Sequence, residues 1–360
     1  MKKVLMYYSS DKKIGGPLTY INTIINSDLK NKYNFVTCYQ NEAPNGWNPK
    51  MLKRMVEQIK KEKPDIVHVH GAQSEGFYGV LAAKKAGCKN IVMTVHGFAF
   101  DDSKCKGFKH FLYKNIVEPY SLRKSSYIYC VCKAAFERDI IRKNKSAKNS
   151  GYIYNPVPTL SVSESREDVR SRYGINDGDV VFAISGRLVY DKGFSVLAEA
   201  VKLAKAKTEH PFKLMVIGDG VYRKTFSDMM KDEIASGEVI LVGQTTRVPD
   251  YLNAADAFVF PSFHENFSIA LLEACTSSLP CIVSNVGGNA EIVRDGDGGF
   301  VINGFDPSDY AEKIAYFVNN KDALASMGAR AKAIVDESFS LSLMCQKIDE
   351  VYEHVLKGKQ

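Results

Sequence analysis

The chain has 360 residues, 45% of them hydrophobic and 25% charged, with a net charge of +7. That balance is ordinary globular composition, excludes a fibrous repeat or long disorder, and at this length suits two domains. The longest apolar runs, such as Ala254–Phe263, carry charge and stop well short of the roughly 18 residues a membrane span needs. The N-terminus, Met1-Lys2-Lys3-Val4-Leu5-Met6-Tyr7-Tyr8, is basic then apolar, but too short for a signal peptide and without a small-residue cleavage site. The expectation is therefore a cytoplasmic protein whose eight cysteines, none in a C-x-x-C pair, are reduced and mostly buried.

Charge is unevenly spread. Residues 1–158 hold 27 Lys and Arg against 12 Asp and Glu, whereas residues 159–360 hold 21 against 29. A basic half suits an anionic partner, and nucleic acid, an anionic membrane face and a phosphate-bearing substrate all qualify. A solvated lysine-rich surface is the plainer alternative.

In chain order, β-rich runs at Lys3–Tyr7, Tyr33–Tyr39, Asp65–Val69, Asn90–Val95, Tyr127–Cys132 and Gly151–Tyr154 alternate with helical stretches. Those stretches lie near Leu18–Leu29, Lys50–Glu62, Phe77–Ala86, Phe108–Arg123 and Ala134–Lys143. Such alternation predicts βαβ units and a parallel sheet covered on both faces. Asn155-Pro156-Val157-Pro158 breaks the pattern, because two prolines remove donors and fix φ, and the polar Ser161–Asp168 follows as a linker. Strands then restart at Val180–Ser185, Lys213–Ile217, Val239–Val242, Ala257–Phe260, Cys281–Ser284 and Gly299–Val301. Helices are expected at Ser195–Lys207, Tyr222–Glu233 and Ser268–Thr276, then near Pro307–Asn319, Lys321–Glu337 and Leu341–Leu356. The fold class is α/β: two tandem Rossmann-like, doubly wound domains, 1–158 and 159–340, facing across a cleft.

Ligands of such sheets bind beyond the carboxyl ends of the strands, so the residues there are the candidates. Gly15-Gly16 opens the first helix, where glycine lets backbone amides approach an anion; a plain Gly-Gly-Pro turn reads equally well. His96-Gly97 follows the fourth strand, and His68 and His70 share one face of the third, without the carboxylate or cysteine that would make a metal site. Gly186-Arg187…Lys192-Gly193 puts two cations on a glycine-flanked loop, a match for a diphosphate whose negative charge grows as it leaves a sugar. The strongest signal is His264-Glu265-Asn266-Phe267-Ser268-Ile269…Glu273. Its two carboxylates, eight residues apart, reach one ligand from a loop and from two helical turns further on, and the amides of Phe267, Ser268 and Ile269 are helix N-terminal donors.

The ordered set Gly15-Gly16, His96-Gly97, Asn155-Pro156-Val157, Gly186-Arg187 with Lys192-Gly193, Ile217-Gly218-Asp219-Gly220, E-x7-E and Gly287-Gly288-Asn289-Ala290-Glu291 resembles the retaining glycosyltransferases of family 4, which have the GT-B fold, across nearly the whole chain. The resemblance implies that the first domain takes the acceptor and the second the donor, with the closing helix 341–357 packing back on the first. It implies that Arg187 and Lys192 hold the donor diphosphate, Glu265 touches the transferred sugar and Glu273 the nucleotide ribose. Gly16 and the Phe267–Ile269 backbone add donors, His96 faces the sugar, and the base rests against Gly218 and Gly243. The chain departs from the common E-G-F-G form, with Asn266 and Ser268 in place of glycines. The reaction implied is metal-independent transfer, with no cofactor, of a hexose or N-acetylhexosamine from a nucleotide sugar, UDP favoured over GDP-mannose, to a glycan acceptor; that the acceptor is lipid-linked is an expectation from the basic stretch Lys104–Lys124. A sugar-nucleotide epimerase on the same fold and a basic nucleic-acid binder are the alternatives; the paired cations with E-x7-E argue against the first, and the want of a stacking motif in the basic half against the second.

One stretch addresses the acceptor. In Lys104–Lys124, Phe108, Phe111, Leu112, Ile116 and Val117 recur near helical spacing with Lys104, Lys106, Lys109 and Lys114 interleaved. Such a stretch can lie on an anionic membrane surface, or its apolar positions can pack on the sheet. The first reading makes the enzyme peripheral on the inner face of the cytoplasmic membrane.

Overall fold

The structure is a computed structural model that describes residues 1–9, 16–40, 47–101, 105–208 and 210–358. The chain divides into two compact units, Met1–Pro156 with Leu341–Gln360, and Val157–Ser340. The division falls inside the Asn155-Pro156-Val157-Pro158 breaker, and the C-terminal helix belongs to the first unit.

The first unit is built on strands β1 (Lys2–Ser9), β2 (Tyr33–Gln40), β3 (Ile66–His70), β4 (Ile91–Val95), β5 (Tyr127–Cys130) and β6 (Ser150–Tyr152), all parallel, in the order β2-β1-β3-β4-β5-β6. Every residue of β3 and β4 is buried, as central strands with helices on both faces require. One face carries Val4, Met6, Ile66, Val92 and Tyr129 beneath Tyr20, Ile21 and Ile24 of the Gly16–Asn26 helix. The Leu341–Lys357 helix covers the same face with Met344, Ile348, Val351, Tyr352 and Val355, an apolar stripe at helical spacing. Burying each such side chain stabilises by roughly 1.5–3 kcal/mol.

The second unit repeats the plan with β7 (Val180–Ser185), β8 (Phe212–Ile217), β9 (Val239–Gly243), β10 (Ala257–Phe260), β11 (Cys281–Ser284) and β12 (Gly299–Ile302), ordered β12-β11-β10-β7-β8-β9. The chain leaves β7 in one direction and returns to place β10 on its other side, so the topological switch point lies between β7 and β10. In open parallel sheets the crevice beyond such a point receives the ligand.

All twelve expected strands are present; the helices differ more. The expected Phe108–Arg123 helix is three pieces, Gly107–Leu112, a π turn at Tyr113–Val117 and Glu118–Lys124, and Pro119, which has no N–H to give, sits in the first turn of the last. Ala134–Lys143 is split into Lys133–Phe136 and Asp139–Asn144, and Tyr222–Glu233 into Arg223–Met229 and Lys231–Ala235. Cys132 lies past the end of β5, its sulfur accepting from Ala135 N at 3.4 Å, so it does not share a strand face with Cys130. The linker expected at Ser161–Asp168 instead ends in a helix, Arg166–Arg172, whose N-cap Ser165 accepts from Asp168 N at 3.1 Å. Polar contacts rather than apolar periodicity hold it. Buried Arg170 donates to the carbonyls of Ala254, Asn176 and Asp179 at 2.7–3.1 Å, and Arg166 pairs with Asp256 at 2.5 Å.

Candidate active site

In the second unit, four loops leave the carboxyl ends of β7, β8, β10 and β11 and lock together through backbone. Gly186 N donates to Ile217 O at 3.0 Å and Gly218 N to Gly243 O at 2.9 Å, so three of the five glycines expected at the donor form one shelf across β7, β8 and β9. A side chain on Gly193, at φ +71°, would overlap the Pro261 carbonyl, and one on Gly287, at φ +54°, the Glu265 carbonyl. These two positions require glycine both for the left-handed backbone and for the space. Gly288 N also donates to Asn266 O at 2.8 Å, which makes the Gly287-Gly288 turn a buttress under the Glu265 loop.

On this frame Arg187 is exposed, and its guanidinium has no hydrogen bond or ion pair among the described residues. Lys192 differs from the expectation of two like cations. Its ammonium forms an ion pair with Glu265, whose side chain is only 10% exposed, and also lies 5.1 Å from the centroid of the Phe260 ring. Ser262, which sequence reasoning passed over, has its hydroxyl 3.0 Å from Glu265 Oε1 and 3.0 Å from the Asp191 carbonyl. The signal for it was its place directly after a strand end. Glu265 is thus a carboxylate held in position by a lysine and a hydroxyl, one on the β7 loop and one on the β10 loop, on either side of the switch point.

Ser268 caps the Ile269–Thr276 helix, its hydroxyl accepting from Leu271 N at 3.3 Å. That contact uses one of the N-terminal amides and explains why a hydroxyl residue replaces glycine there. Phe267 is buried against Phe339 at 5.2 Å between centroids, so it anchors the loop rather than meeting solvent. Ile269 is partly exposed at the first turn, where amides have no intrahelical acceptor. Glu273 lies just over one turn into this helix, not two as expected, because the helix begins only at Ile269; burial pushes its carboxyl up to about 7. A half-buried carboxyl with no cation beside it among the described residues gains most from hydroxyl donors brought by a ligand.

In the first unit, His96 lies just past β4 with its ring half-buried. Its Nε2 is 3.4 Å from His70 Nδ1. His68 is bound at both nitrogens, to Tyr352 Oη at 2.7 Å and Thr94 Oγ1 at 2.8 Å. Burial pushes His96 down to about 4 and His68 to about 3, with neighbouring imidazoles adding to the drop for His68 and His70. All three are neutral at pH 7. Alternation along β3 placed His68 and His70 together, and His96 was singled out by its place after the fourth strand; the meeting of His96 with His70 had no local signal. Gly16 begins the first helix with open space where a side chain would be, whereas Gly15 lies outside the described residues. Lys106, Lys109 and Lys114 are exposed, as are Phe108 at 77%, Phe111 at 55% and Ile116 at 52%. Those three apolar side chains do not pack on the sheet; only Leu112 and Val117 are half-buried. Lys104 lies outside the described residues.

The family model described as glycosyl transferases group 1 matches residues 165–334, and that described as glycosyl transferase 4-like matches residues 25–132. An Escherichia coli UDP-Gal:alpha-D-GlcNAc-diphosphoundecaprenol alpha-1,3-galactosyltransferase is 30% identical over 318 residues, covering 86% of this chain and 80% of that protein. The chain is a glycosyltransferase. A Bacillus anthracis N-acetyl-alpha-D-glucosaminyl L-malate synthase is 25% identical over 85% of this glycosyltransferase and 79% of its own length. Among solved structures, Anabaena HepE in complex with UDP superposes with a TM-score of 0.79 at 17% identity, over 98% of this chain and all of HepE. That likeness concerns the fold, which is GT-B.

Proposed function

We propose that this glycosyltransferase moves a hexose or N-acetylhexosamine from a UDP-sugar to a lipid-linked glycan in surface polysaccharide assembly, the second unit holding the donor and the first the acceptor. The observation that carries the proposal is the meeting of the Arg187, Lys192 and Glu265 loops at the switch point, with Glu273 just over one turn into the helix that follows. Arg187 and Lys192 take the diphosphate, and their charge counts most as the leaving group gains negative charge. Glu265 receives hydroxyls of the transferred sugar, and Glu273 the ribose. The names of the E. coli relative and of the HepE complex favour UDP.

Retention without a side-chain base fits the same site. Glu265 is committed to Lys192 and Ser262, so in this reading the departing phosphate, rather than a side chain, takes the proton of the incoming hydroxyl. Arg187, the Lys192 ammonium shared with Glu265, and the amides of a helix N-terminus then offset the diphosphate charge without a divalent ion. Thermal melting tests the reading of the ligand. UDP-glucose or UDP-N-acetylglucosamine at a hundred times its dissociation constant stabilises by about 2.7 kcal/mol. A rise in Tm with an oligonucleotide but with neither sugar nucleotide would favour the nucleic-acid reading instead.

The exposed Phe108, Phe111 and Ile116 beside Lys106, Lys109 and Lys114 support a peripheral place on an anionic membrane, where the acceptor's lipid would lie. Co-sedimentation with anionic liposomes should weaken from about 0.05 to about 0.5 M salt, as screening predicts, and should fall when the three lysines become Glu. Equal recovery in the supernatant with anionic and neutral liposomes would remove the membrane reading.

A further inference from the structure

Three imidazoles stand in a row on one face of the first sheet, and their hydrogen bonds are nearly all accounted for. His68 is saturated by Tyr352 and Thr94, with Tyr129 Oη 3.2 Å from its Nε2. His70 is wholly buried, its ring 4.2 Å from that of His68 and 5.7 Å from that of His96. Among the described residues its Nε2 is buried without a partner, and its Nδ1 faces only His96 Nε2. Tyr20 packs edge-on against His96 at 5.2 Å and leaves that ring little freedom to turn. His96 Nδ1 has no partner among the described residues.

A contact between two neutral ring nitrogens needs one N–H and one lone pair, so the tautomers of His70 and His96 are coupled. Two arrangements satisfy the contact. In one, His70 carries its proton on Nε2, where the N–H is buried and unbonded. In the other it carries the proton on Nδ1 and leaves a bare lone pair at Nε2. Orphaned buried N–H groups are rarer in folded proteins than under-satisfied acceptors. We infer that His70 is a positioning residue, donating from Nδ1 to His96 Nε2, so that His96 keeps its proton on Nδ1 and offers a substrate oxygen a neutral N–H donor.

This deepens the transferase reading, since it takes His96 to touch substrate. With substrate at Nδ1, the nitrogen that His70 leaves free, His96 does not serve as a general base, because that nitrogen already bears the proton and the bare one is held by His70. The group it suits is an acceptor of hydrogen bonds, a sugar hydroxyl or a phosphate oxygen.

Nitrogen-15 spectra of histidine-labelled protein at pH 7.5, with His96 assigned by loss of its signals in His96→Asn, read the tautomer directly. The wild type should show His96 protonated at Nδ1 and bare at Nε2. His70→Asn, whose amide N–H occupies the place of Nδ1–H, should retain that pattern and most of the turnover. His70→Leu should move the His96 proton to Nε2 and lower kcat about tenfold, the worth of one hydrogen bond, with a smaller change in the donor KM. A wild-type His96 protonated at Nε2, or an unchanged tautomer in a folded His70→Leu, overturns the inference. The wild-type and His70→Asn spectra decide it even where His70→Leu does not fold. They also decide it where no sugar nucleotide is turned over, a result that would count against the transferase reading alone.

Discussion

Glu273 offers a quantitative test, because its burial gives it a titration in the working range. Its carboxyl is pushed up to about 7 from 4.5. If only the carboxylate grips the ribose hydroxyls, apparent affinity for UDP scales with the ionised fraction. That fraction rises from about 0.09 at pH 6 to about 0.9 at pH 8, an increase of about tenfold. The terminal phosphate of UDP titrates near pH 6 as well, so the quantity to follow is the ratio of dissociation constants for wild type and Glu273→Gln. Calorimetric titration at pH 6, 7 and 8 should show this ratio falling about tenfold, with the wild type releasing more protons on binding at pH 6 than the variant. Stability should move the other way. A raised folded pKa means the folded state holds the proton between pH 4.5 and about 7, so stability is lost as pH rises through that window. Above it the buried charge costs at most about 3 kcal/mol, and Glu273→Gln should therefore melt higher than wild type at pH 8 without ligand. Parallel binding profiles for the two proteins would refute the ribose assignment.

Arg187→Ala should lower turnover by about 30- to 1,000-fold, equivalent to about 2–4 kcal/mol of leaving-group stabilisation, with Tm unchanged because the side chain is exposed and unbonded. Lys192→Ala should lose as much turnover and also melt lower, since it leaves the nearly buried Glu265 without its cation; equal Tm for the two variants would contradict the pairing. Gly287→Ala should cost both stability and turnover, because a side chain there pushes on the Glu265 carbonyl, and circular dichroism melts alongside an activity assay would register both. Activity should persist in EDTA, and its loss there with recovery on adding Mg²⁺ or Mn²⁺ would refute metal independence.

The strands were legible because parallel sheets buried on both faces read as compact apolar runs, and all twelve lie where such runs occur. The strand ends then pointed to the site: Arg187, Lys192, Glu265 and Glu273 are gathered in one unit as the motif order implied. What was not legible is what depends on contacts across the chain. The Lys192–Glu265 pair joins residues 73 apart, and its neutral, pre-set state cannot be read from two separate motifs. His70 meets His96 only because β3 and β4 are neighbours in register, His70 opposite Thr94. The Arg166–Arg172 helix has no apolar period at all, since its stability comes from arginines bonding to carbonyls about 80–90 residues away. The exposure of Phe108 and Phe111 was a choice between two readings that local spacing could not make.

The central claim is transfer from a UDP-sugar with Arg187 on the leaving diphosphate, and release of nucleoside diphosphate measures it most directly. Wild type and Arg187→Ala would each be given UDP-glucose, UDP-galactose, UDP-N-acetylglucosamine, UDP-N-acetylgalactosamine and GDP-mannose, together with membrane lipid extract as acceptor. The account predicts that the wild type frees UDP from at least one UDP-sugar, that GDP-mannose yields little GDP, and that Arg187→Ala loses at least about 30-fold of the rate. GDP released from GDP-mannose alone would contradict the donor, and UDP released equally by both proteins would contradict the site.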